Sequence, residues 1–257
     1  MKILILGAGK MGSFFTDLLS FDHEVAVLEQ DPKRMRFIYN AVRMQDVEEV
    51  KAFAPELVIN CVTLSHTLDA FNAVIPYLPE TCIISDIASV KTNLKEYYDA
   101  SGFRYVSTHP MFGPTFANLG QLDKENTIII SEGDHLGKIF FKDIYSSLRL
   151  HICEYTFEEH DKVVAYSLGI PFASTMVFAA TMKHQDAPGT TFKRHMKIAR
   201  GLLSEDDYLL TEILFNPRTP HQIARIQEEL DILQEIIKNK DSARMKEYLT
   251  KIRKNIE

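Results

Sequence analysis

The sequence predicts an α/β protein in two parts: a doubly wound, mostly parallel sheet over residues 1–155, then an all-α domain over residues 156–257. Three observations predict it. Short apolar runs alternate with amphipathic segments through the first 155 residues, the order of a parallel sheet with helices on both faces. The first run, Lys2-Ile-Leu-Ile-Leu6, passes straight into a glycine turn and a helical pattern. Beyond Thr156 no further run reads as a strand, and the apolar spacing becomes helical.

In chain order, strands are expected at Ile3–Leu6, Glu24–Leu28, Leu57–Val62, Cys82–Asp86, Tyr105–Thr108, Thr127–Ser131 and Leu150–Cys153. Helical patterns fall at Lys10–Leu19, Pro32–Asn40, Thr67–Ile75 and Phe140–Ser147. The second part reads as helices at Glu158–Met182, Phe192–Leu203, Glu205–Phe215, Thr219–Asn239 and Asp241–Lys254. Thr156 before Glu158-Glu159, Ser204 before Glu205-Asp206, and Thr219-Pro220 mark helix starts. Asn216-Pro217 and Ala187-Pro-Gly189 separate the helices. The composition shift sets the boundary near residues 154–157. Val163–Thr181 approaches membrane-spanning length, but Tyr166, Ser167, Gly169, Pro171, Ser174 and Thr175 interrupt it and charges flank it. A buried helix is expected there.

Composition narrows the function classes. The 257 residues are 46% hydrophobic, enough for a full core. A net charge of −6 lacks the basic footprint of a nucleic-acid binder, so Lys193-Arg-His-Met-Lys197 is a local basic patch. Cys61, Cys82 and Cys153 lie far apart without CxxC spacing; reduced thiols and a cytoplasmic protein are expected. Met1-Lys2 leads directly into a strand, with no leader pattern.

Gly7, Gly9 and Gly12 fit G-x-G-x-x-G, with Lys10 and Met11 inside the turn. The first glycine permits the turn, the second lets backbone approach a pyrophosphate, and the third admits close helix packing. The helix N-terminus adds free N–H groups and the positive end of its dipole. The second strand ends at Glu29, 22 residues past Gly7, where a carboxylate can accept from ribose hydroxyls. That context is the dinucleotide-binding, or Rossmann, signature. Glu29 disfavours a 2′-phosphate and points to NAD over NADP, against which stand Arg34 and Arg36 nearby.

Three other strand ends carry polar residues: Asn60-Cys-Val-Thr-Leu-Ser-His66, Ser85-Asp-Ile-Ala-Ser-Val-Lys91 and Ser107-Thr-His109. In parallel strands these ends share one rim, where open α/β sheets bind ligands. Thr63 and Asp86 are read as facing the cofactor there. Asp86 and Ser89 can equally be helix caps, as can Ser65 and His66. His109 is followed by Pro110, which biases it toward extended geometry at a strand end. An imidazole beside a nicotinamide can take a hydroxyl proton as hydride leaves, and its titration range suits that work.

Four segments taken together resemble the prephenate/arogenate dehydrogenase family: Gly7-Ala-Gly-Lys-Met-Gly12, Ser85-Asp-Ile-Ala-Ser-Val-Lys91, His109-Pro-Met-Phe-Gly-Pro114 and Glu159-His-Asp161. The resemblance covers nearly the whole chain. It implies an NAD-dependent oxidative decarboxylation of prephenate to 4-hydroxyphenylpyruvate, or of arogenate by the same chemistry. It implies that His109 takes the ring hydroxyl proton, with Ser89 bonding that hydroxyl or the imidazole, and that no metal is required. It also implies a homodimer through the C-terminal helices. The substrate carboxylates need a cation, because burying them unpaired is costly. In Phe192–Arg200 the candidates are Arg194 first, then Lys193 and Arg200, each of which could instead lie on a solvated basic face. Many prephenate-preferring members carry a histidine in the first helix of the second domain, where this chain reads Ser167-Leu-Gly-Ile-Pro171. No appended mutase or regulatory domain is read.

Two other classes compete. The β-hydroxyacid dehydrogenase and imine reductase group shares the glycine start; its hydroxyacid members place a Lys-x-x-Asn in the corresponding helix, whereas Lys162 here precedes Val-Val-Ala. A non-catalytic NAD-binding regulator would keep the glycine turn and lose Asp86, Ser89, Lys91 and His109.

Overall fold

The computed structural model describes residues 1–112 and 122–256. Gly113 and Pro114, which end the His109–Pro114 run, lie outside the described residues. The chain forms two compact units, residues 1–161 and 162–257.

The first unit runs β1 (Lys2–Leu6), α1 (Lys10–Leu19), β2 (Glu24–Leu28), α2 (Pro32–Met35), β3 (Val42–Met44), α3 (Glu49–Phe53), β4 (Leu57–Asn60) and α4 (Thr67–Val74). It continues with β5 (Ile83–Asp86), α5 (Leu94–Ser101), β6 (Arg104–Pro110), β7 (Asn126–Ile130), α6 (His135–Ser147) and β8 (His151–Tyr155). The strands form one sheet in the order β3-β2-β1-β4-β5-β6-β7-β8. Every neighbouring pair is parallel except β6 and β7.

Helices on both faces explain the continuous apolar strands. Ile3, Leu4, Ile5 and Leu6 are all buried, as are Val58 and Ile59 beside them. Each such side chain contributes about 1.5–3 kcal/mol relative to exposure. Phe15, Phe141 and Tyr145 close the layers above the strands. Of the cysteines, Cys82 is buried, while Cys61 and Cys153 are half-buried; all three are free.

Several expectations shift. The three-residue β3 was not predicted, nor were α3 and α5. Helix α2 stops at Met35 rather than reaching Asn40, and α6 begins at His135 because Asp134 caps it through the Gly137 N–H. Strand β6 extends through Pro110 rather than ending at Thr108. Its parallel pairing with β5 ends at Asp86↔Ser107, and the antiparallel ladder with β7 takes over from Thr108↔Ile129 to Pro110↔Thr127. A terminal position tolerates proline, which has no N–H to give to a ladder.

The next helix, α7 (Phe157–Val164), starts with a reciprocal capping box: the Glu159 N–H donates to Thr156 Oγ1 and the Thr156 N–H to Glu159 Oε2. Its first residues belong with the sheet unit, past the composition shift, because Phe157 packs near the Tyr105 ring and His160 against His109.

The second unit contains a π-turn (Ala165–Gly169), α8 (Ile170–Thr181), α9 (Thr190–Leu202), α10 (Asp207–Leu214), α11 (Thr219–Asn239) and α12 (Ser242–Lys254). Asp206, not Ser204, caps α10, accepting the Leu209 N–H. The helical run from Phe157 to Thr181 is long and apolar enough to cross a membrane, yet only 22% of its most apolar 18 residues are buried. The expected buried helix is therefore corrected: α8 carries apolar residues on all sides, and Tyr166 and Val177 are more than half exposed.

Candidate active site

The carboxyl ends of β1, β2, β4, β5 and β6 form one rim, as the register Leu6↔Leu28, Leu6↔Asn60, Asn60↔Asp86 and Asp86↔Ser107 requires. The glycine turn sits at the β1 end. Gly7 has φ +91°, a conformation that favours glycine. A Cβ on Gly12 would lie 1.9 Å from the Gly7 carbonyl oxygen, so helix α1 can approach the turn only without one. A Cβ on Gly9, by contrast, would meet nothing within 4 Å. Helix α1 begins there with no side-chain cap. Open space over Gly9 beside an uncapped helix start fits the pyrophosphate of a dinucleotide.

Glu29 is buried at the β2 end; its Oε2 accepts the Ala8 N–H at 2.8 Å and its Oε1 the Asp31 N–H at 2.8 Å. The carboxylate thus sits against the turn itself, where an adenosine ribose would lie. Arg34 Nη1 approaches it at 3.9 Å but is largely exposed. Lys10 is exposed, and Met11 is half-buried and packs against the hydrophobic core. After β4, exposed Thr63 bonds His66 Nδ1 at 2.9 Å, so Ser65, His66 and Thr63 tie the turn before α4 together.

Asp86 is fully buried, and both of its oxygens take internal donors. Oδ1 accepts from Lys91 Nζ and from the Ala88 N–H, and Oδ2 from the Tyr98 hydroxyl at 2.6 Å. Asp86 therefore organises the loop after β5 rather than presenting a carboxylate to a cofactor. Lys91 is equally buried, and its second bond goes to the Thr108 carbonyl at 2.7 Å, immediately before His109. Burial lowers the Lys91 pKa against the pull of Asp86. Ser89 is half-buried in the same loop.

His109 is 4% exposed, and its Nδ1 lies 3.0 Å from Nε2 of His160. His160 is fully buried, with its Nδ1 3.5 Å from Asp161 Oδ1. Burial first, then the His160 ring and the Lys91 ammonium, hold His109 well below the ordinary imidazole value. His160 is lowered by burial against the opposing pull of Asp161. A neutral imidazole with a free lone pair is a general base. Ser107, two residues earlier on the same face of β6, has a buried hydroxyl with no hydrogen-bond partner among the described residues.

His160 was missed as a site residue: Glu159-His-Asp161 carried the resemblance without a role. Lys91 was placed on the rim, but nothing in its spacing showed that it would reach the Thr108 carbonyl.

In the second unit, Arg194, Lys193 and Arg200 are exposed on α9. Lys193 and Arg200 line a cavity of about 400 Å³ with Phe192, Met196, Lys183 and His184, and Arg194 lies off it. Among the described residues no group of three or more His, Cys, Asp or Glu is placed to hold a metal ion.

The family model described as "prephenate dehydrogenase, nucleotide-binding domain" matches residues 17–148, just over half of the chain, beginning after the glycine turn. A curated relative from Methanocaldococcus jannaschii, a probable arogenate/prephenate dehydrogenase, is 24% identical over 201 residues. That match covers 72% of this chain and 44% of the relative, so the chain spans under half of that protein's length. The solved prephenate dehydrogenase from Aquifex aeolicus, in complex with hydroxyphenyl propionate and NAD+, is similar with a TM-score of 0.84 at 19% identity, over 100% of this chain and 98% of that one. Synechocystis arogenate dehydrogenase is similar with a TM-score of 0.77 at 20% identity, over 99% and 98%. At those identities the structural likeness establishes the fold.

Proposed function

Because the chain belongs to the prephenate dehydrogenase family, we propose that it catalyses the NAD-dependent oxidative decarboxylation of prephenate to 4-hydroxyphenylpyruvate. The observation that carries this reading is His109, buried on the same rim as the glycine turn with its Nδ1 3.0 Å from Nε2 of His160. Glycines 7, 9 and 12 with the α1 N-terminus would hold the pyrophosphate, and Glu29 the adenosine ribose, which favours NAD. When bound, the nicotinamide supplies the hydride acceptor. His109 takes the proton of the ring hydroxyl, and loss of the ring carboxylate as CO₂ aromatises the product. Ser89 orients the hydroxyl or the imidazole. Lys193, Arg194 and Arg200 are the candidates for pairing a substrate carboxylate.

Arogenate is the second reading, favoured by the histidine-free Ser167–Pro171 segment. We also infer a homodimer through the helical unit, because a second copy would cover the exposed apolar side of α8. The test of function is NADH formation with prephenate, arogenate and 3-hydroxyisobutyrate. Turnover of a ring acid supports the proposal. NAD binding with no turnover of any of the three favours the non-catalytic regulator, and turnover of 3-hydroxyisobutyrate alone favours the hydroxyacid class.

A further inference from the structure

We propose that His160 and Asp161 are positioning residues that fix the tautomer of His109, leaving the lone pair on its Nε2 as the base. A bond between two ring nitrogens at 3.0 Å needs one N–H and one lone pair. Both rings are buried, so a mismatched pair would leave polar atoms unsatisfied in the core. Geometry at His109 alone allows either direction. Asp161 decides it.

An ionised carboxylate only accepts, so His160 Nδ1, 3.5 Å from Asp161 Oδ1, carries the proton. Neutral His160 then has its lone pair on Nε2, and His109 must donate from Nδ1. That leaves Nε2 of His109 bare. The other charged groups around the pair are Lys91 and Asp86, from β5 and the loop after it. Lys91 discourages a proton resting on either ring, so the pair waits neutral.

Within the dehydrogenase reading, on which the identity of the proton donor rests, one hydroxyl O–H bond breaks as one His109 Nε2–H bond forms. The Nδ1–H of His109 stays bonded to His160 throughout. The imidazolium formed is then compensated across His160 by the Asp161 carboxylate. The arrangement has the logic of a carboxylate-oriented catalytic histidine, with a second imidazole interposed.

The experiment has two arms on the full chain. Side-chain ¹⁵N NMR, with His109→Asn and His160→Gln assigning the rings, reads the tautomers without any substrate. The Nδ1–H form on both rings is expected; an Nε2–H form on His109 overturns the proposal. In kinetics, His160→Leu is expected to lower kcat on the order of 10²-fold with the KM for NAD unchanged. His160→Gln, whose amide oxygen can accept the same N–H, is expected to restore most of it. Equal loss in both variants, or loss in neither, overturns the proposal. If the wild-type chain turns over no ring acid, the dehydrogenase reading fails while the NMR arm still decides the tautomer.

Discussion

The β1 end and the β6 end of the rim solve different problems. At β1 the site is made by omission: Gly7 permits a positive φ, Gly12 lets α1 approach to contact, and Gly9 leaves open space. At β6 it is made by accumulation. His109 takes its partner from 51 residues away on α7, and the strand end before it is held by Lys91, itself anchored on Asp86. A backbone cradle writes itself into consecutive residues. A tuned side chain depends on neighbours that only the fold brings together.

The contrast can be broken by substitution. The largest effect is expected at the β6 end, where His109→Asn should lower kcat on the order of 10²–10⁴ and leave NAD affinity, measured by titration, unchanged. Unaltered turnover would remove His109 from the chemistry.

Next is Lys91→Met, which leaves Asp86 buried without its cation and should destabilise the fold by about 3–5 kcal/mol in urea unfolding. A loss below about 1 kcal/mol would mean that Asp86 is solvated or otherwise compensated.

At the β1 end two glycines separate packing from binding. Gly12→Ala forces a Cβ onto the Gly7 carbonyl and should destabilise by about 1–3 kcal/mol as well as weaken NAD binding. Gly9→Ala should change stability by no more than about 0.5 kcal/mol while still weakening NAD binding. Equal stability losses in the two would refute the open cradle.

Smaller is the pH effect. The His109 pKa is lowered on folding, so below the unfolded-state value the unfolded chain binds the extra proton. Its contribution to stability is complete above the ordinary imidazole range and falls as pH drops through that range toward the folded value. Denaturation midpoints of wild type and His109→Asn should converge with acidification. Parallel curves would show that His109 is not neutral by burial.

The least effect is expected on α9. Lys193→Ala and Arg200→Ala should each raise the substrate KM about tenfold, the scale of one charge-assisted hydrogen bond, with the KM for NAD unaltered. A change confined to Arg194→Ala would return the carboxylate role to that residue.

Much of this is legible in the amino-acid sequence. Alternating apolar runs and the glycine spacing placed seven of the eight strands and the α1 N-terminus; the three-residue β3, with two exposed positions, was too short to show a period. The shared rim followed from parallel order. The environment of His109 did not, because His160 and Lys91 reach it only through tertiary packing. Asp86 reads in sequence as a polar strand end open to ligand, whereas burial turns it inward to Lys91 and Tyr98. Val163–Thr181 fails in the opposite sense: apolar sequence implies cover, and the chain alone covers little of it.

The central claim is tested most directly by measuring NADH and CO₂ together when the full chain meets NAD and prephenate. Equal amounts of the two, both lost in His109→Asn with NAD still bound, are predicted. NADH formed without CO₂, or undiminished formation of both in His109→Asn, would contradict the account.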